Sequence, residues 1–243
     1  MVYKLKCIVA YDGANYSGWQ IQDNQPSIQE AIEKSLKKIH GGSPVKIYGA
    51  SRTDAGVHSR GQVFHFESTI NLAGDRWRLA INTYLENDVF IKSVEVVSES
   101  FHARFDVVKK EYRYLLSINQ FDPLRRNSVE FERKNIDVEL MQEEIKCIIG
   151  KHNFKSFTSH SEYNSYVREI YEAEIINESG ELTFRFVGSG FMRYMIRILV
   201  GTLVEIGYGR KKDLLGIMLK EDRKYAGKNS SSHGLYLEKI WYE

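Results

Sequence analysis

Apolar and polar residues alternate from Tyr3 to Tyr11, which places Leu5, Cys7, Val9 and Tyr11 on one face of a strand. Asp12-Gly13 then marks a turn. The period changes after Pro26-Ser27, where Ile28, Ala31, Ile32, Leu36 and Ile39 recur at helical spacing. Ser27 suits the cap of that helix, Glu30 completes a capping box, and Gly41-Gly42 stops it. Strand character returns at Val45 to Tyr48 and at Gln62 to Phe66, with the polar segment Gly49 to Gly61 between them. A second helix is expected over Asp75 to Leu85, with Trp77, Ile81, Tyr84 and Leu85 as its apolar stripe, and a strand over Val89 to Val97.

The second half repeats this mixture. Strands are expected at Tyr112 to Ile118, Val167 to Ile176, Leu182 to Val187 and Leu235 to Trp241. One helix should run from Val138 to about Ile149, capped by Asp137 and ended by Gly150. Another should run from about Phe191 to Ile206, and a short one should follow Asp213. The recurrence predicts two mixed α+β domains, 1–107 and 108–243.

Composition narrows the class. The 243 residues are 42% hydrophobic and 27% charged, an ordinary globular mixture that excludes a disordered or collagen-like chain. No apolar run approaches the ~18–20 residues of a membrane span. The first residues enter a strand pattern directly, so no secretory signal is expected. Cys7 and Cys147 are the only cysteines and have no partners at ligand spacing, which points to a reducing cytoplasm and away from disulfides or zinc. The net charge of +2 does not announce a nucleic-acid binder, but clustering matters more than the sum. From Phe191 to Lys212 the chain carries Arg193, Arg197, Arg210, Lys211 and Lys212 against one acid, Glu205. Such a run equally suits a solvated helix face.

Candidate chemistry concentrates in Gly49-Ala50-Ser51-Arg52-Thr53-Asp54-Ala55-Gly56-Val57-His58, a short polar loop between two strands. The glycines allow a tight turn or a close approach to a ligand. Arg52 beside Asp54 would favour an ionised carboxylate, available as a nucleophile or charge stabiliser. The same spacing suits an Asp54 that caps a turn and pairs with Arg52 at the surface, and spacing leaves both open.

Ser51-Arg52-Thr53-Asp54-Ala55-Gly56-Val57-His58, followed by Gly61-Gln62-Val63, resembles the signature of the TruA family of tRNA pseudouridine synthases. Further blocks match in order. Tyr11-Asp12-Gly13 with Gly18-Trp19-Gln20 resembles the family's opening. Phe101-His102-Ala103-Arg104-Phe105 and Tyr112-Arg113-Tyr114 resemble its central block. Phe154-x-Ser156-Phe157, the run from Phe191 to Gly201, and Gly234-Leu235-Tyr236-Leu237 resemble its C-terminal half.

The resemblance implies an α+β fold of two domains, each a mostly antiparallel sheet with helices on one face, the sheets joined around a catalytic cleft. It implies isomerisation of uridine to pseudouridine at positions 38, 39 and 40 of the tRNA anticodon stem-loop, by a homodimer without cofactor or metal. Asp54 would be the catalytic aspartate, attacking ribose C1′ or base C6 or abstracting a proton on a glycal path. Tyr112 would stack on the target base, Arg52 would hold phosphate or orient the loop, Arg197 would pair with Asp54, and Leu235 would wall the base. Tyr112 and Leu235 equally suit core packing, and Arg197 an interior helix arginine paired elsewhere. Lys109, Lys110, Arg113, Arg210, Lys211 and Lys212 would contact the RNA backbone. The target base must leave its stack to enter such a pocket. Two positions depart from the family: Ser51 stands where glycine is common, and Leu85-Glu86 where Leu-Pro is common. A non-catalytic tRNA-binding or chaperone protein of the same fold is the competing expectation. A glycosidic hydrolase fits less well, because the nearest sequence-local acid to Asp54 is Glu67, beyond the next strand.

Overall fold

The structure, a computed structural model, describes residues 1–132, 135–159 and 163–242. Its strands are β1 (Tyr3–Tyr11), β2 (Tyr48–Gly49), β3 (His58–Ser68), β4 (Val89–Val97), β5 (Lys109–Ser117), β6 (Glu130–Phe131), β7 (Gly150–Asn153), β8 (Val167–Glu178), β9 (Glu181–Gly188) and β10 (Leu235–Trp241). Its helices are α1 (Ile28–Ile39), α2 (Gly74–Thr83), α3 (Val138–Glu144), α4 (Met195–Gly207) and α5 (Leu214–Leu219). The fold is α+β, with mostly antiparallel strand pairing. The chain divides into two compact units, Met1–Val108 with Tyr236–Glu243, and Lys109–Leu235.

In the first unit the strands run in the order β4-β1-β3-β10, with β2 also on β3. β1 pairs antiparallel with β3 and β4, and β10 joins β3 in parallel through Tyr236 to His58 and Leu237 to Ser59. One sheet face carries Leu5, Cys7, Val9, Phe64, Phe66 and Ile91 into a core shared with Ile28, Ile32 and Leu36 of α1 and Trp77 and Ile81 of α2. Each such fully buried large side chain contributes roughly 1.5–3 kcal/mol relative to exposure. Ser27 caps α1 by accepting from the Glu30 N–H, while the Glu30 carboxylate turns to Lys34 at 2.7 Å. β3 is longer than its apolar pattern predicts. It contains a bulge: Val9 pairs with Gln62 and Tyr11 with Ser59, so Arg60 and Gly61 together face Ala10. Ser59 Oγ accepts from the Gly61 and Gln62 N–H groups and donates to Leu237 O, which satisfies the interrupted ladder.

In the second unit β5, β9, β8 and β7 form an antiparallel ladder in that order, and β6 lies parallel on β5. α4 is apolar nearly all round, as a core helix must be, and only Arg197 and Glu205 along it escape full burial. It begins four residues later than the apolar run predicts. Tyr194 takes a left-handed conformation, φ 63°, and breaks the helix there. The expected helix to Ile149 instead ends as α3 at Glu144 and continues as a 3-10 turn, Ile145–Ile148. Gly150 opens β7 with φ +107° and does not cap the helix. Val45 to Ile47 form no strand, and pairing of β2 is confined to Tyr48 and Gly49.

Candidate active site

The loop between β2 and β3 is fixed on both sides of Asp54 by its own backbone. Ala50 N–H donates to Val63 O at 2.8 Å, and the Gln62 amide donates to Ser51 O at 2.7 Å. Thr53 is buried: its hydroxyl lies 2.9 Å from the Tyr11 hydroxyl, and its carbonyl accepts from Trp19 N–H at 3.1 Å. Gly56 N–H donates to Tyr16 O at 3.2 Å, and Val57 N–H to Asp54 O at 3.2 Å. Arg52 is exposed and Asp54 half-buried, one on each side of the anchored Thr53. A carboxylate held this way is presented at the surface by a backbone with little freedom.

The opening segment, Tyr11 to Trp19, is what cradles this loop. A Cβ on Gly18 would sit 2.4 Å from Thr53 O, and one on Gly13 2.0 Å from Val57 O. Gly18 also has φ +103°, which only glycine adopts without strain. Gly49 lies against the Trp19 indole, where a Cβ would approach Nε1 to 2.5 Å. His58, buried at the start of β3, accepts from Gly13 N–H on Nδ1 at 3.1 Å, and Asp12 Oδ1 lies 3.0 Å from the same nitrogen. The His58 ring stacks on Tyr236 at 4.7 Å.

In the second unit Tyr112 and Tyr114 share one face of β5, as their spacing requires. Tyr112 is buried and meets Phe191 edge-on at 5.2 Å. Tyr114 donates to Ser231 O at 3.0 Å, and burial raises its phenol well above the ordinary range. The opposite face of β5 carries a charge lattice. Arg113 Nε donates to Glu111 at 2.7 Å, and Arg185 reaches Glu111, Glu172 and Glu174.

Arg197, Gly201 and Glu205 fall at i, i+4 and i+8 on α4 and line one stripe. Residues 227–230 lie along that stripe. Arg197 Nε donates to Ser230 O at 2.7 Å, Glu205 accepts from Lys228 N–H at 2.9 Å, and Thr202 Oγ1 accepts from Gly227 N–H at 2.8 Å. A Cβ on Gly201 would lie 2.1 Å from Lys228 O, so glycine lets the strap close on the helix and orient the guanidinium. The Tyr194 ring lies 4.8 Å from the Arg193 guanidinium and 5.3 Å from that of Arg197. Leu235 is buried at the start of β10. Arg210 and Lys212 are exposed, Lys109 and Lys110 half-buried, and Lys211 donates to Tyr225 O at 2.7 Å. Among the described residues no helix is long and apolar enough to cross a membrane.

A family model described as "tRNA pseudouridine synthase" matches residues 7–106 and 145–243, well over half of the chain. The chain belongs to the tRNA pseudouridine synthase family. It is 42% identical over 243 residues to "tRNA pseudouridine synthase A" of Anoxybacillus flavithermus (strain DSM 21510 / WK1), covering 99% of each chain. It is similarly 42% identical to "tRNA pseudouridine synthase A 1" of Bacillus cereus (strain ATCC 14579), covering 98% of each. Identity to "tRNA pseudouridine synthase A" of Geobacillus kaustophilus (strain HTA426) is 38%, over all of this chain and 96% of that one.

Within this family frame, sequence reading singled out Asp54 and Arg52 but missed the residues that hold them. Tyr11, Gly13, Gly18 and Trp19 are visible in sequence as a motif without a role, and His58 only as the last residue of the signature. Each acquires its place from contacts across more than twenty-five positions of sequence, which local spacing does not encode. Gly201 and Ser230, which orient Arg197, were hidden for the same reason.

Proposed function

We propose that this protein isomerises uridine to pseudouridine in tRNA, at positions 38, 39 and 40 of the anticodon stem-loop, with Asp54 as the catalytic carboxylate. The bond from ribose C1′ to N1 breaks, the freed base turns, and C1′ joins C5. The C5 proton leaves, and N1 gains one. The change is balanced without oxidant, reductant or energy source, so a single well-placed carboxylate is suited to carry it. Beside family membership, the observation that carries this reading is the Asp54 loop itself. Its backbone is pinned at Ala50, Ser51, Thr53 and Gly56, and Asp54 stays partly open to solvent.

In this reading Tyr112 stacks on the target base, Arg197 and Arg52 balance charge at the carboxylate and the phosphate, and Leu235 walls the base. The Arg197 guanidinium is supported by its bond to Ser230 O. Lys109, Lys110, Arg210, Lys211 and Lys212 contribute to the RNA backbone contacts, as does Arg113, which already shares Glu111 with Arg185. The unit Met1–Val108 carries Asp54 and Arg52, and the unit Lys109–Leu235 carries Tyr112, Arg197 and Leu235. The protein works as a homodimer in the cytoplasm. The test uses tRNA transcripts tritiated at uridine C5, followed by carbodiimide-dependent primer extension. Tritium release with stops at 38–40 is expected. No release from a tRNA that the protein binds would contradict the reading.

A further inference from the structure

The segment Phe101-His102-Ala103-Arg104-Phe105 has no place in the chemistry described above, yet it is built with unusual care. His102 N–H donates to the Asp106 carboxylate at 2.8 Å, and Asp106 N–H returns to His102 O at 3.1 Å. His102 Nδ1 accepts from the N–H groups of Arg104 and Phe105 at 3.1 and 3.4 Å. Ala103 is buried and tied on both sides: its N–H donates to His65 Nδ1 at 3.2 Å and its carbonyl accepts from Tyr242 at 2.6 Å. Burial holds the His65 ring neutral, its pKa lowered to about 4, so the acceptor on Nδ1 persists at neutral pH.

What this rigid turn presents is one phenyl ring and one guanidinium. Phe105 is 74% exposed. One of its faces stacks on His102, with centroids 4.2 Å apart and planes 28° apart. Arg104 is exposed, with its guanidinium 5.9 Å from the Phe105 centroid. Behind this pair the aromatic surface continues through His65, 4.8 Å from His102, to Tyr48, which stacks on His65 at 5.0 Å and is 51% exposed. Lys6 lies over Phe101 and Tyr242, at 5.7 and 5.0 Å. The centre of a protein interface is depleted in charge. The immediate neighbours of Phe105 here are Arg104, His102 and Asp106. An exposed flat ring with a second ring stacked on it and a guanidinium over it matches a stacked base and its phosphate.

We propose that Phe105 and Arg104 form a nucleotide-stacking element, in which an unpaired base of the tRNA packs on the exposed Phe105 ring and its phosphate pairs with Arg104. The inference rests on the tRNA reading above and adds a contact outside the reacting site. Stacking on a ring tolerates any base, so the element anchors the RNA without selecting the target uridine.

The test compares Phe105→Tyr, Phe105→Leu and Arg104→Gln with the wild type in tRNA binding, single-turnover pseudouridine formation, sedimentation and thermal unfolding. Leucine keeps apolar bulk and loses the π face. Phe105→Leu should bind tRNA about tenfold more weakly, and Phe105→Tyr within about twofold of wild type. Arg104→Gln should weaken binding and reduce the salt slope by about one. The unfolding temperature should not move, because the ring is already exposed. Unchanged tRNA affinity in Phe105→Leu would overturn the proposal. So would a changed oligomeric state with tRNA affinity intact, which would make the ring a protein contact. Ring-dependent tRNA binding without pseudouridine formation would sustain the stacking element and overturn the reading of the reaction.

Discussion

Replacing Gly18 by alanine tests whether the opening segment positions the Asp54 loop. The new Cβ would stand 2.4 Å from Thr53 O and 3.1 Å from the Asp54 carbonyl carbon. A carbon–oxygen contact normally needs about 3.3 Å, so the loop must retreat by roughly 0.9 Å. A misplacement of about 1 Å at a catalytic group costs on the order of 10²-fold in rate. Alanine at φ +103° adds strain of roughly 1–3 kcal/mol, independent of the clash. Gly42→Ala separates the two effects, because Gly42 has φ +97° and nothing within 4 Å of its Cβ position. Gly42→Ala should lose only the strain part of the stability in urea unfolding, and Gly18→Ala that part together with the cost of the clash, roughly 1–3 kcal/mol more. Only Gly18→Ala should lose about two orders of magnitude in single-turnover pseudouridine formation. Equal activity in the two variants, measured where both are fully folded, would refute the reasoning.

Other outcomes follow from the same contacts. Tyr11→Phe removes the buried partner of Thr53 Oγ1 and should cost about 1 kcal/mol of stability, with a fall in kcat larger than any change in KM. Gly201→Ala puts a Cβ 2.1 Å from Lys228 O and should destabilise the protein by about 1–3 kcal/mol in thermal unfolding, with loss of activity as the bond from Arg197 to Ser230 is disturbed. His65 binds its proton less readily folded, at about 4, than its ordinary 6.5, so the unfolded chain takes up the proton first. Stability should therefore be full above pH 6.5 and fall as pH drops from there toward about 4, by at most about 3 kcal/mol; urea midpoints in His65→Gln should lack that part of the slope.

The strands β1, β4 and β10 were legible to the residue, because a half-buried strand writes its alternation directly into the sequence. α1 was equally plain, with Ser27 as its cap. β3 is legible in sequence only from Gln62 to Phe66, because its first residues, His58 and Ser59, are polar yet buried. Ser59 and Gln62 satisfy themselves through a bulge and a loop carbonyl, and hydropathy carries no trace of either. The late start of α4 depends on one left-handed tyrosine inside an apolar run. At the candidate site, residue type and motif single out Asp54, while the support of its loop lies in glycine clearances that exist only once the chain has folded.

In the proposed reading Asp54, held on its glycine-cradled loop, performs the isomerisation. The most direct measurement is tritium release from C5-labelled tRNA by wild type and Asp54→Asn under single-turnover conditions, with tRNA affinity determined in parallel. Wild type should release tritium and Asp54→Asn none, at similar affinity for tRNA. Release by Asp54→Asn at a rate near that of wild type would contradict it.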